Sequence, residues 1–91
     1  MLKITYTTSF KKDYKRVSRQ GKNLSLIAEI VQRISSQNVI DKKYKDHFLI
    51  GNYKGKRELH LAPDWLLIYE IDKEESELIL YRTGSHSELF K

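Results

Sequence analysis

The sequence predicts an α+β fold in two layers, with a pair of helices packed on one face of an antiparallel sheet. Three observations carry this. Two helix-period apolar stripes follow each other in the first half of the chain, over residues 10–17 and 24–34. Three strand-like segments follow in the second half, over 56–62, 65–71 and 77–83. A short alternating segment, 2–6, precedes them all. The order is β-α-α-β-β-β, and two helices with one apolar face each can cover one side of such a sheet. The other side is expected to be open.

The elements can be justified in turn. In LKITY (2–6) Leu2, Ile4 and Tyr6 alternate with Lys3 and Thr5, the period of a half-buried strand. Thr8 and Ser9 are N-cap candidates for the first helix. Phe10, Tyr14 and Val17 fall on one helical face, while Lys11, Lys12, Lys15, Arg16 and Arg19 take the opposite side. Gly21 suits the residue after the helix end. Asn23 can cap a second helix with a stripe of Leu24, Ile27, Ala28, Val31 and Ile34, and the short break predicts an antiparallel hairpin. Residues 39–55 have no clean period and read as loop with at most a helical turn. KRELHLA (56–62) alternates Leu59 and Leu61 with Glu58 and His60. WLLIYEI (65–71) is apolar on both faces, as a central strand is. ELILYRT (77–83) is similar, and the turns at 63–64 and 73–76 make the three strands an antiparallel meander.

The totals set limits. A chain of 91 residues suits one domain, and a domain of this size buries only ~60–65% of its unfolded surface. There is no Cys, which excludes a disulfide framework, a Cys-based zinc site and a thiol nucleophile. No apolar run approaches the ~18 residues of a membrane span, and the start is not a signal peptide. This fits a soluble cytoplasmic protein with no membrane partner. The net charge of +5 is unevenly placed. Residues 1–45 hold eleven Lys/Arg against three Asp/Glu, whereas 46–91 hold six against nine. A basic half suggests an anionic partner such as RNA, the ribosome or an acidic protein, although a solvated helix face has the same composition.

All three histidines, His47, His60 and His86, lie in the second half. If Leu59 and Leu61 face the core, His60 points to the open face. Meander pairing brings the start of one strand beside the end of the next, so Asp64 and Trp65 are expected near Arg82 and Gly84. His60, Asp64, Arg82 and His86 can then converge at one sheet end. Three imidazoles can hold Zn²⁺, but the gaps of 13 and 26 residues match no metal-site spacing, and neither metal nor cofactor is expected. Metal-free RNA cleavage matches better. The RNA supplies its 2′-OH as nucleophile, imidazoles can move both protons, and a guanidinium can grip phosphate oxygens. Phe90 or Trp65 could stack on a base. Plainer roles compete: core packing for Trp65, a salt bridge to Asp64 or Glu70 for Arg82, and a tail anchor for Phe90.

The stretch KDHFLIGNYKGKRELHLAPDWLLIYEID, followed by LYRTGSHSELF, resembles the YafQ branch of the RelE superfamily. These are ribosome-dependent mRNA interferases, the toxins of type II toxin–antitoxin pairs. The likeness covers residues 45–90 closely and the first half only in general pattern. It implies a two-layer RelE-like fold and cleavage of mRNA in the ribosomal A site. By motif, His47, His60, Asp64, Arg82 and His86 fall on the family's functional positions and Phe90 on its terminal aromatic. The His/Asp set then serves proton transfer and the arginine the transition state, with His86 favoured alongside Asp64 or His60. The resemblance also implies a cognate antitoxin with an acidic segment, ribosomal contact through the basic stripe, and DNA contact only through the antitoxin. A non-catalytic RNA-, ribosome- or antitoxin-binding module is the alternative.

Overall fold

The structure, a computed structural model, describes residues 1–90, with Asn52 described by its backbone alone. Strand β1 (Lys3–Tyr6) leads into helix α1 (Thr8–Arg19), followed by α2 (Leu24–Ser35). Strands β2 (His47–Phe48), β3 (Arg57–Ala62), β4 (Trp65–Asp72) and β5 (Glu77–Gly84) follow, and the chain closes with a short helix, α3 (His86–Leu89). The sheet has five strands in the order β1-β5-β4-β3-β2. β1 runs parallel to β5, and the other neighbours are antiparallel. The expected meander is therefore present, extended by one strand at each side.

Local chemistry explains the helices and corrects some details. The N-cap of α1 is Thr7, not Thr8 or Ser9; its hydroxyl accepts from the Phe10 amide at 3.0 Å. Gly21 ends the helix in a left-handed conformation, with its own amide bonded to Ser18 O and that of Lys22 to Val17 O, a Schellman arrangement. Asn23 caps α2 by accepting from the Ser25 amide at 3.1 Å. The buried stripe of α2 is rotated slightly from the expected one: Ile30 is fully buried and Ala28 is exposed. In α1 the buried residues are Phe10, Asp13 and Val17, while Tyr14 is exposed. A carboxylate thus occupies a core position of a helix otherwise read as plainly amphipathic.

The core packs Phe10, Val17, Ile27, Ile30, Val31 and Ile34 of the helices on Leu59, Trp65, Leu67, Leu78 and Leu80 of the sheet. Each such aliphatic burial is worth about 1.5–3 kcal/mol. The opposite sheet face is not wholly open, as expected, but carries a second small cluster. Leu66 and Ile68 of β4 meet Leu89 of α3, with Leu49, Tyr53 and Tyr81 packed around them. The irregular segment forms two single turns, Lys42–Tyr44 and Gly51–Tyr53, on either side of β2. Asp46 ties it down by accepting from Tyr69 OH at 2.7 Å and Arg57 Nε at 3.1 Å. Burial first, then this hydrogen bond, raises the Tyr69 pKa above its usual value.

Two features of β5 set the position of Arg82. Ile68 is opposite Arg82 and Tyr69 opposite Leu80, so Tyr81 is an extra, bulged residue. Strict alternation with Leu78 and Leu80 would send Arg82 into the helix-side core. The bulge turns it to the opposite face, beside Ile68. β1 pairs only with residues 77–80 of β5, which leaves the end of that edge without a strand neighbour. Helix α1 completes it. Thr7 Oγ1 donates to Tyr81 O at 2.8 Å, Asp13 Oδ2 accepts from the Thr83 amide at 3.2 Å, and Arg16 Nη2 donates to Thr83 O at 3.0 Å. Side chains here take the place of a strand in satisfying an exposed edge.

Candidate active site

The second sheet face collects the histidines. β2 presents His47, β3 presents His60, and the first residue of α3 is His86. The rings form a row, His47 to His60 at 6.2 Å between centroids and His60 to His86 at 6.2 Å. His86 continues to Phe90 at 5.6 Å, and Phe90 meets Tyr53 edge-on at 5.6 Å. The wall is thus made of three imidazoles followed by two aromatic rings.

Glu58 lies under this row. It is 3% exposed, and its Oε1 lies 3.4 Å from His47 Nε2 and 3.7 Å from His60 Nε2. His47 Nδ1 is 2.6 Å from Lys45 O, and a carbonyl can only accept, so Nδ1 carries a proton. His47 and His60 thus flank one buried carboxylate. Glu58 was missing from the sequence-based candidates, although its i, i+2 spacing from His60 puts both on one strand face.

Asp64, in the β3–β4 turn, accepts from the His86 amide at 3.2 Å. It holds the start of α3, so its contact is with the backbone of His86 and not with Arg82. Arg82 is paired instead with Asp13, through Nε to Oδ2 at 2.5 Å and Nη2 to Oδ1 at 3.1 Å. This hydrogen-bonded pairing raises the arginine pKa further, with Tyr53 a smaller contributor. Arg82 lies opposite Ile68, and Ile68 opposite Glu58. His60 lies opposite Leu66, and Leu66 opposite Gly84. His47 lies opposite Glu58 and so shares the row of Arg82 across the sheet, while His60 is one register step away on the same face. Tyr53, packed on Leu66 and Ile68, links the two rows. Nothing in the irregular 39–55 sequence marked that tyrosine.

Two expected ligand-binding residues are placed elsewhere. Trp65 is 1% exposed, and its indole N–H donates to Thr83 Oγ1 at 2.9 Å within the helix-side core. It has no face to offer a nucleobase. Arg16 is tied into the fold by Asp13 at 3.1 Å and Glu88 at 3.2 Å, and by its bond to Thr83 O. Lys11, Lys12, Lys15 and Arg19 are exposed. Phe90 is 40% exposed, so one side of its ring is available. Among the described residues, no group of three His, Cys, Asp or Glu side chains is arranged to hold a metal ion, and no helix is long and apolar enough to cross a membrane.

The tail that carries His86 and Phe90 is held by a capping box. Ser85 Oγ accepts from the Glu88 amide at 3.2 Å, and Glu88 Oε1 accepts from the Ser85 amide at 2.8 Å. The Ser85 bond, followed by one from Gln20, lowers the Glu88 pKa. A depressed carboxylate stabilises the fold above its unfolded pKa of about 4.3, and that contribution is lost as pH falls through the folded value. Amide resonances of Leu89 and Phe90 should therefore shift towards an undocked tail as pH drops below about 4. In Glu88→Gln that pH step should vanish. A step of equal size in the variant would show that another group controls docking.

The fold is that of the RelE-like class, with a helical pair on one sheet face and imidazoles, a carboxylate and an arginine on the other. The chain matches over residues 2–91 the model of the YafQ family, bacterial toxins of type II toxin–antitoxin systems. It belongs to that family. The mRNA interferase toxin YafQ of Escherichia coli K12 is 33% identical over 88 residues, 96% of this chain and 94% of that protein. A metal-bound toxin from Helicobacter pylori is 46% identical with a TM-score of 0.93, over 99% of this chain and all of the other. YafQ in the E. coli DinJ–YafQ complex is 33% identical with a TM-score of 0.89, the match covering both chains fully.

Proposed function

We propose that this chain is an endoribonuclease that cleaves mRNA in the ribosomal A site and so inhibits translation. The observation that carries the reading is the row of three imidazoles over buried Glu58, with Arg82 turned to the same face by the bulge. In this scheme the RNA 2′-OH attacks the adjacent phosphorus. Glu58 with His60 takes the 2′ proton, and His86 protonates the departing 5′ oxygen. The P–O5′ bond breaks, leaving a 2′,3′-cyclic phosphate and a 5′-OH. Arg82 stabilises the charge gathering on the phosphoryl oxygens, and His47 holds the Glu58–His60 unit. Asp64 positions His86, and the free side of Phe90 stacks on a base. The exposed Lys11, Lys12, Lys15 and Arg19 meet ribosomal RNA, and a cognate antitoxin with an acidic segment neutralises the toxin. DNA contact is made through that antitoxin.

Side chains supply every proton transfer in this scheme, so cleavage is metal-independent. Purified toxin, with magnesium-stabilised ribosomes supplied separately, should cut at an unchanged rate after EDTA treatment of the toxin. Loss of cleavage restored by zinc or copper would assign the imidazoles to a metal instead. A non-catalytic binding module is the second reading, and one observation favours it: two nitrogens of Arg82 are already engaged by Asp13. Mapping 5′ ends of mRNA after brief induction separates the two. New ends within A-site codons support the nuclease, and translation arrest without them supports the module.

A further inference from the structure

We propose that Asp13 is a positioning residue for Arg82, its carboxylate fixing which edge of the guanidinium faces the phosphate. The inference rests on the role given to Arg82 above. Asp13 is 2% exposed, in the buried stripe of α1 between Phe10 and Val17. Its two oxygens take Arg82 Nε at 2.5 Å and Nη2 at 3.1 Å, a two-pronged grip on one edge of a planar cation. The same carboxylate accepts from the Thr83 amide at 3.2 Å and pairs with Arg16 Nη1 at 3.1 Å. Four donors thus converge on one buried acid.

A buried carboxylate needs charge and hydrogen bonds, but Arg16 and the Thr83 amide already meet much of that need. The second guanidinium does something more. An unpaired arginine samples many rotamers and loses that freedom on gripping a ligand. Here the Nε edge is turned to α1, which leaves the Nη1 side for substrate. The bulge at Tyr81 brings the side chain to the correct face, and Asp13 selects its orientation there.

The test is single-turnover cleavage of ribosome-bound mRNA by the full chain. Asp13→Asn should slow cleavage by up to about 10²-fold, the scale of a misplaced catalytic group, with ribosome affinity little changed. In an Arg82→Ala background the same substitution should have no further effect. An equal slowing in both backgrounds, or a wild-type rate for Asp13→Asn, overturns the proposal. Should Asp13→Asn fail to fold, the wild-type protein still decides by NMR. The Arg82 Nε–H should be ordered and slow to exchange, and a freely rotating, fast-exchanging group overturns the inference. Absence of cleavage by wild type, or a wild-type rate for Arg82→Ala, counts instead against the nuclease reading.

Discussion

Arg82→Ala and His86→Ala should each slow mRNA cleavage by about 10²–10⁴-fold, the range for removing one acid–base group or one transition-state charge. The two losses should differ in kind. In the proposed scheme His86 supplies a proton to the leaving oxygen, so His86→Ala should remove the limb of the pH–rate profile that reports the acid. Arg82 is a fixed charge, so Arg82→Ala should lower the rate across the whole profile. Both variants should remain folded. His86 is exposed, and Asp64 contacts only its backbone amide. Arg82→Ala leaves Asp13 with Arg16 and the Thr83 amide. Rapid-quench cleavage with a circular-dichroism check tests this, and a folded His86→Ala with wild-type kinetics would remove it from the reaction.

Trp65→Ala should cost about 3–5 kcal/mol of stability, a large part of the about 5–15 kcal/mol expected of a small domain. The indole is fully enclosed in the helix-side core, and its N–H is matched by Thr83 Oγ1, which donates in turn to Leu66 O at 2.8 Å. Truncation opens a cavity and breaks a brace between β4 and β5. Trp65→Phe keeps the ring and loses the hydrogen bond, so it should cost less, about 0.5–1.5 kcal/mol for the bond plus a small cavity. Urea midpoints measure both. Corrected for folded fraction, Trp65→Phe should cleave like wild type. A folded Trp65→Phe that fails to cleave would return the indole to substrate binding.

The parts legible in sequence were those with enough residues to show a period. Both helices and three strands repeat their pattern over several turns or pleats, and β4 announced its central place by being apolar on both faces. β2 has two residues, too few for any alternation. β1 was legible as a strand, but its parallel pairing with β5 follows from the path of two helices over the sheet. The bulge left no trace, because ELILYRT reads equally well as regular strand. Helix α3 was missed although Ser85 and Glu88 spell a capping box; the segment is one turn long, and the apolar contact that fixes it is Leu89 alone. Alternation with Leu59 and Leu61 marks His60 for the open face, and meander pairing brings His86 to it, as the row of rings has them. Glu58, the buried partner of His47 and His60, carries no such mark, because a strand glutamate on an open face is ordinarily solvated. Asp13 carried a signal that amphipathicity obscured: an acid one turn after Phe10, on the apolar side of a helix otherwise rich in lysine.

The bulge also separates two kinds of sequence change in β5. Replacing Tyr81 alters what packs on Leu66 and Ile68 and leaves the faces assigned as they are. Straightening the strand with Tyr81 kept in the ladder would put Arg82 in the core position of a leucine, whereas removing Tyr81 keeps Leu80 opposite Tyr69, Arg82 opposite Ile68 and Thr83 opposite Leu67. β5 therefore holds Arg82 on its face either with the bulge or with one residue fewer, but not as a regular strand of the same length. Within this strand a one-residue gap at Tyr81 in an alignment of related toxins is compatible with the same placement of the arginine.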